Sequence, residues 1–312
     1  MRARAPASAA NLGPGFDALG LALDLYVEVE VEQAPRLTVR SEGEGAGMSD
    51  DAGHLAARVA MDVAGHDGLA ITVRSQIPVG RGLGSSAALA VAAAAAARAS
   101  DPLAVAAHVD GHPENAAASV VGGLVVATMV KGSVMAVSMP LDPELVFVVA
   151  VPDRPLSTAK ARQVLPHEVS RADASFNLGR MGLLLAGLAD HTVLVREAAE
   201  DRLHQDYRSP LFPEAPMLLN GLIEGGALAA CWSGAGPSLL GICTRRVAPS
   251  VALAARQSLA DAGVPGRAMT LRADTRGLVI GEAARLPTSA AEGDEVEPGE
   301  PSDGVFDADQ DG

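Results

Sequence analysis

Residues 78 to 88 read Pro78, Val79, Gly80, Arg81, Gly82, Leu83, Gly84, Ser85, Ser86, Ala87, Ala88 and run into an alanine-dominated stretch, Leu89 to Ala99. Gly80, Gly82 and Gly84 permit backbone conformations in which a Cβ would clash, so several N–H groups can converge on one anion. Ser85 and Ser86 then open a helix, whose first N–H groups lack intrahelical partners and whose positive dipole end favours a phosphate. A mere tight connection needs neither the serine pair nor the abrupt switch to helix formers, so phosphate binding is the expectation. No Lys follows the glycines, which excludes a Walker A loop. Ile71, Val73 and Ile77 can form a preceding strand, but no acid stands about 20 residues beyond the loop on a second strand, which excludes the dinucleotide fingerprint.

Other polar groups stand at turns. Asn11 and Asp17 flank an irregular turn forced by Gly13-Pro14-Gly15, with Phe16 inside it as a packing anchor. Asp110-Gly111-His112-Pro113-Glu114-Asn115 follows two helical stretches. One of its acids could hold Mg²⁺, which takes few protein carboxylates and keeps waters and phosphate oxygens. His112 beside Asn115 offers donors to a small polar substrate, which is expected of it rather than a zinc site. Thr158 and Arg162 share one face of a helix. Arg208 could bind a carboxylate bidentately, but on residue type alone Arg180, Arg196 and Arg202 compete equally. A second glycine turn, Ser233, Gly234, Ala235, Gly236, Pro237, Ser238, lies between two strand-like segments.

The elements that must carry these groups can be read from periodicity. Leu25 to Val31 alternates as a half-buried strand, Arg36 to Arg40 and Leu69 to Arg74 read as strands, and His54 to Ala64 as a helix. Leu124 to Met129 and Ser133 to Val137 form a hairpin turning at Lys131-Gly132, and Phe147 to Val151 is a buried strand. Helical patterns follow at Ser157 to Leu165, Asp173 to Leu188, Thr192 to Arg202, Pro213 to Glu224 and Ala248 to Ala262. Strands are expected at Ala229 to Trp232, Leu239 to Thr244 and Ala268 to Arg272. The mixture lacks strict βαβ repetition, which argues an α+β chain of two lobes, divided near residues 151 to 155. The expected units are 1–152, 153–286 and a tail, 287–312, whose nine acids, absent bases and sparse apolar residues predict disorder.

Only 3% of residues are aromatic while 48% are apolar, so Ala, Val and Leu must fill the core. The net charge of −14 argues against a nucleic-acid partner. No apolar run reaches the roughly 20 residues of a membrane span, and residues 1–10 carry no apolar segment of a secretion signal. Cys231 and Cys243 stand apart in strand-like context, suiting a reducing cytoplasm without a structural disulfide.

The motifs together resemble the GHMP small-molecule kinases and, within them, the homoserine kinases. The glycine loop at 78–88 and the turn at 233–238 carry the wider resemblance. Ala10 to Asp17 with Leu19-Gly20, His112 to Asn115, and Ser157 to Arg162 carry the narrower one. The resemblance implies a two-lobed fold, with an N-terminal lobe like the second domain of ribosomal protein S5 (ribosomal-protein-S5-domain-2-like) and a C-terminal ferredoxin-like lobe. It implies ATP bound by residues 78–88, with Mg²⁺ held by Ser85 or Ser86 and by Asp110. Such kinases usually carry Glu at the place of Asp110 and Asp at the place of Glu114. It further implies L-homoserine as partner, held by Asn11, Asp17, His112, Asn115 and Thr158, with Arg162 and Arg208 on its carboxylate. Asp17 and Asn11 would orient the reacting hydroxyl, and Ser233, Gly234, Ala235 and Gly236 would close the site beside the phosphate loop. The product would be O-phospho-L-homoserine for threonine synthesis, made in the cytoplasm without nucleic acid or membrane, by a chain free to form a homodimer.

Three rival readings differ in what they require. A mevalonate- or sugar-type kinase of the same superfamily needs no arginine pair for a carboxylate. A non-catalytic ligand sensor on this fold would have a broken metal site, and Asp110 is the one departure in that direction. An adaptor acting through the acidic tail would lose its function with residues 287–312.

Overall fold

Alanine decides how the first lobe packs. The computed structural model describes residues 1–286, so the tail at 287–312 lies outside the described residues. The chain opens with β1 (Arg2–Ala10), β2 (Leu19–Gln33), β3 (Thr38–Gly43), α1 (Leu55–Ala64) and β4 (Leu69–Ser75). It continues through α2 (Ser85–Ala96), α3 (Pro102–Asp110), α4 (Glu114–Val121), β5 (Leu124–Val130) and β6 (Ser133–Met139). From Ala87 to Ala96 every residue of α2 is buried, as befits a helix apolar all round. It lies across β1 and β2 and is enclosed by α1, α3 and α4. Methyl side chains let so many elements approach one axis while keeping high helix propensity.

β1 to β6 form one sheet, in which β2 serves two partners on the same side. Leu19 to Leu21 pair with β5, and Val27 to Gln33 pair with β4. β1 runs along the other side of β2, with its register shifting between Pro6 and Ala7, where proline has no N–H to give the ladder. β1 was not legible as a strand, because its alternate alanines carry little β propensity; its partner strand supplies the stability instead.

The second lobe contains β7 (Leu145–Pro152), α5 (Thr158–Gln163), α6 (Arg171–Ala189), α7 (Gln205–Arg208), α8 (Ala215–Glu224), β8 (Ala229–Trp232), β9 (Leu239–Thr244), α9 (Ala248–Asp261) and β10 (Gly266–Leu271). A short β11 (Val279–Ile280) returns to pair with β1. The antiparallel order β10-β7-β9-β8, with α9 crossing between β9 and β10, is the ferredoxin-like arrangement. Alternation along β7 is sharp: Val146, Val148 and Ala150 pack with α8 and α9, whereas Leu145, Phe147, Val149 and Val151 join the core of the first lobe. The apolar cores therefore meet through β7.

Two expectations are corrected. A division at 152/153 separates β7 from its own sheet partners, β9 and β10; by pairing, the boundary falls between β6 and β7. The stretch from Thr192 to Arg202 is not one helix but two 3₁₀ turns, at His191–Val193 and Arg196–Ala199. Its backbone is drawn against the N-terminal turn, with Gln205 Nε2 donating to Ala199 O at 3.0 Å. Cys231 and Cys243 are buried free thiols. None of the described helices is long and apolar enough to cross a membrane.

Candidate active site

The glycine loop turns as its composition requires. Gly80, Gly82 and Gly84 have φ of 68°, 75° and 64°, in the left-handed region. None of the backbone N–H groups from Gly80 to Ala87 donates to another described residue, and α2 begins at Ser85 without a side-chain cap. A set of unpaired donors at a helix N-terminus is an anion cradle. The second glycine turn braces it: Ser233 Oγ donates to Gly82 O at 2.8 Å, and Ser238 N donates to Arg81 O at 3.3 Å. Arg81 itself turns away from the cradle, donating to the carbonyls of Val79, Pro152 and Asp153. Pro78, Leu83 and Ala88 are buried, so their side chains support the loop from beneath.

The cradle forms one end of a cavity of about 270 Å³. Asn11, Ser85, Ser86, Asp110, His112, Asn115, Thr158, Arg162, Arg208, Gly234 and Ala235 all line it. Residues spread from 11 to 235 are thus brought together. Asp17 joins the group through a bidentate pair with Arg162, at 2.7 and 3.1 Å; that hydrogen bond and charge raise the Arg162 pKa. The turn holding Asn11 and Asp17 is strained: Asn11, Leu12 and Asp17 have φ of 70°, 50° and 53°, and left-handed leucine is rare. Asn11 fixes the strain by accepting from Asp17 N at 3.1 Å and donating to Gly234 O at 2.9 Å. Only one N–H of its amide is then left for a ligand. Asn115 accepts from Ser8 Oγ at 2.9 Å.

Glu114 belongs to the site, although the resemblance assigned the metal to Asp110 and left Glu114 out. It lines the same cavity and is only 1% exposed. Its Oε1 lies 2.6 Å from His112 Nδ1, but the two are misaligned, and His112 Nδ1 and Glu114 Oε2 are both buried without a hydrogen bond among the described residues. Burial raises the Asp110 pKa, and the Glu114 charge raises it further. Burial disfavours charge on His112, yet Glu114 and Asp110 outweigh it and raise its pKa. A buried acid with an orphaned carboxylate oxygen, the half-buried Asp110 and the Ser85 and Ser86 hydroxyls beside an anion cradle suit a hard divalent cation. The signal was the spacing: Glu114 stands four residues beyond Asp110, across a turn at Gly111.

Arg208 differs from every competing arginine. Arg180 pairs with Glu200, Arg202 with Asp173, and Arg196 donates to Asn220. Arg208 is 1% exposed and has no carboxylate partner among the described residues. Burial, helped by the nearby Arg162 charge, lowers its pKa to about 10, so the guanidinium remains charged at neutral pH. A buried cation without its anion is the signature of a site for an anionic ligand.

A second cavity of about 280 Å³ shares Gly80, Ser85 and Ser86 with the first. Val27, Met48, Leu55, Val73, Val79 and Leu89 give it apolar walls, with His54 and Ser41 among them. No local motif announces it, because its wall is assembled from separate strands, helices and loops.

Comparison with known proteins gives the family. The family model described as the GHMP kinases N terminal domain matches residues 52–123, and that described as GHMP kinases C terminal matches residues 182–261. The chain is 40% identical to a homoserine kinase of Streptomyces avermitilis over 93% of its own length and 97% of that protein's. It is 35% identical to a homoserine kinase of Desulfitobacterium hafniense over 90% of its own length and 99% of that protein's. The crystal structure of a homoserine kinase from Cytophaga hutchinsonii, 24% identical, shares the fold with a TM-score of 0.78, covering 89% of this chain and 96% of the other. The chain belongs to the homoserine kinase family of the GHMP kinases.

Proposed function

We propose that the protein transfers the γ-phosphoryl group of ATP to the side-chain hydroxyl of L-homoserine, giving ADP and O-phospho-L-homoserine on the way to threonine. The observation that carries this reading is the distribution of charge in one cavity. Unpaired N–H groups from Gly80 to Ala87 and the Arg208 guanidinium, which has no carboxylate partner among the described residues, line the same cavity. The loop receives the phosphates, and the adjoining apolar cavity takes the adenine. Arg208, with Arg162, binds the amino-acid carboxylate, and Asp17 presents negative charge to the ammonium. A zwitterion is thereby held at both charges, leaving its side-chain hydroxyl free to face the cradle.

Phosphoryl transfer depends chiefly on alignment and charge neutralisation, so a strong base is not required. Holding the alcohol in line with the phosphate supplies much of the rate, because well-oriented intramolecular reactions gain about 7–11 kcal/mol over bimolecular ones. Asn11 and Asn115 border that path and orient the hydroxyl, with Asp17 fixed by Arg162. Mg²⁺, held by Ser85 or Ser86 with Asp110 and Glu114, would neutralise charge on the phosphates. The same reading puts the protein in the cytoplasm, with no nucleic-acid or membrane partner, and is compatible with a homodimer.

A coupled ADP-release assay across homoserine, serine, threonine, mevalonate and galactose tests the assignment. Homoserine should be turned over at least tenfold more efficiently than the others; activity confined to mevalonate or galactose would refute the amino-acid reading. Glu114→Gln tests the metal set. It should weaken Mn²⁺ binding to the ADP-loaded protein about tenfold by titration calorimetry, an effect of about 1.4 kcal/mol. Its far-ultraviolet circular dichroism should match the parent's, since Gln keeps the size of the side chain beside His112. Unchanged Mn²⁺ affinity would remove Glu114 from the ligand set.

A further inference from the structure

His204 is fully buried and lies outside both cavities, yet it touches the groups on which the substrate reading depends. Its Nδ1 lies 2.9 Å from Arg208 Nη1, and its Nε2 lies 2.8 Å from Gly13 O. The phenyl ring of Phe16 stacks on it, centroids 5.2 Å apart and planes 25° apart. The guanidiniums of Arg162 and Arg208 sit over the same phenyl ring, at 5.7 and 5.5 Å from its centroid.

The chemistry of these partners dictates one protonation state. A guanidinium can only donate, so Nδ1 must present its lone pair to Arg208; a carbonyl can only accept, so Nε2 must carry the hydrogen that goes to Gly13 O. Asp201 Oδ2, 3.6 Å from Nε2, is too distant to take that hydrogen instead. Burial also pulls the His204 pKa down, in keeping with a neutral ring. Arg208 is thus tied by Nε to Ala161 O at 3.2 Å, and by Nη1 to Gly234 O at 3.0 Å and to His204. These bonds engage Nε and Nη1, so Nη2 is the nitrogen left for a ligand.

The position of His204 is itself built. Asp201 accepts from the backbone N–H groups of Leu203, His204 and Gln205, at 2.7, 2.9 and 2.6 Å. Asn177 of α6 donates to Asp201 at 3.1 Å and accepts from Arg202 N at 2.9 Å. Through Gly13 the same ring reaches the strained turn that carries Asp17. We propose that neutral His204 is a positioning residue for substrate recognition, aligning the carboxylate-binding Arg208 with the turn that presents Asp17.

This inference rests on the reading of Arg208 as the carboxylate ligand, and three variants separate the two. In His204→Asn the amide oxygen can replace Nδ1 as acceptor for Arg208. In His204→Gln the amide falls near Nε2 and the acceptor for Arg208 is lost. Both remove the ring, so packing loss and the lost Phe16 stacking should lower their thermal midpoints alike. Positioning predicts that His204→Gln raises the KM for homoserine at least tenfold with kcat and the KM for ATP within threefold of the parent. His204→Asn should bring the homoserine KM back to within threefold. Equal KM values in the two variants, or midpoints that fall with no change in homoserine KM, would make His204 purely structural and overturn the proposal. Arg208→Ala is the control: an unchanged homoserine KM there would instead refute the carboxylate reading itself.

Discussion

Arg208→Met should nearly abolish use of homoserine while leaving the protein folded. The guanidinium is buried, tied to two carbonyls and one imidazole, and has no acidic partner among the described residues. Removing a buried cation that has no acid relieves its desolvation cost, but it leaves Ala161 O, Gly234 O and His204 Nδ1 without their donor, at about 1–3 kcal/mol for each buried group left unsatisfied. The denaturant midpoint of Arg208→Met should therefore fall below that of the parent, with a single cooperative transition retained. Substrate binding suffers more. Removing one partner of a buried charge pair costs about 2–5 kcal/mol, which predicts a fall in kcat/KM for homoserine of roughly 30-fold to several-thousand-fold at 1.4 kcal/mol per decade. Arg208→Lys should fall near the lower end, because a point charge keeps the attraction but loses the hydrogen bonds through Nε and Nη1 that aim Nη2 at the ligand. In both variants the KM for ATP should stay within threefold, since none of the hydrogen bonds of Arg208 goes to the phosphate loop. Steady-state kinetics beside equilibrium unfolding checks the pair. A stable Arg208→Met variant with undiminished kcat/KM would remove this arginine from recognition.

The same residue shows where sequence reading reaches its limit. Arg180, Arg196, Arg202 and Arg208 were equivalent by residue type, and only the resemblance separated them. The fold separates them physically, since the first three find acids or an amide at the surface and the fourth is buried without an acid. The glycine loop was legible because its chemistry is local: left-handed glycines, then a helix start, specify a cradle without reference to distant residues. Thr158 and Arg162 were legible for the same reason, lying one turn apart on α5. The apolar cavity beside the loop was not, because its wall is assembled only when β2, β4, α1 and α2 pack. The broken helix between Thr192 and Arg202 shows tertiary structure overriding periodicity. A Cβ on Gly13 would collide with Ala199 O, so that backbone must pass close to the turn carrying Asp17, where a continuous helix would not leave Ala199 O free to accept from Gln205. His204 was invisible for a related reason: a lone buried histidine is ordinary until its partners are known.

Gly82→Ala should impair the enzyme as severely as loss of Arg208, but through ATP. Gly82 has φ of 75°, a conformation that costs an L residue about 1–2 kcal/mol. The larger effect is steric. A Cβ there would collide with Ser233 O and come within 2.9 Å of Gly236 O and 3.0 Å of Gly236 N. All three are backbone atoms of the second glycine turn, so no side-chain rotation relieves the contact. One of the two turns must move. If the phosphate loop moves, the N–H groups from Gly80 to Ala87 no longer converge. If the second turn moves, Gly234 O is withdrawn from Asn11 and Arg208, which both donate to it. Either way the alignment that phosphoryl transfer needs is lost, and removing even one preorganised donor at a reacting centre costs about 2.7–4 kcal/mol. The expected result is a fall in kcat of about 100-fold or more, with the KM for ATP raised at least tenfold. The far-ultraviolet circular dichroism should be unchanged, because the displacement is confined to two turns and leaves the ladder and helix hydrogen bonds in place. Gly65→Ala, at the C-terminal end of α1, is the matching control: its φ is also 75°, and a Cβ there meets nothing within 4 Å, so it carries the conformational strain without the collision. Activity near the parent level in Gly65→Ala and its loss in Gly82→Ala would assign the effect to the packing of one glycine turn on the other. Near-parental kcat in Gly82→Ala would mean that the cradle does not need its bracing turn.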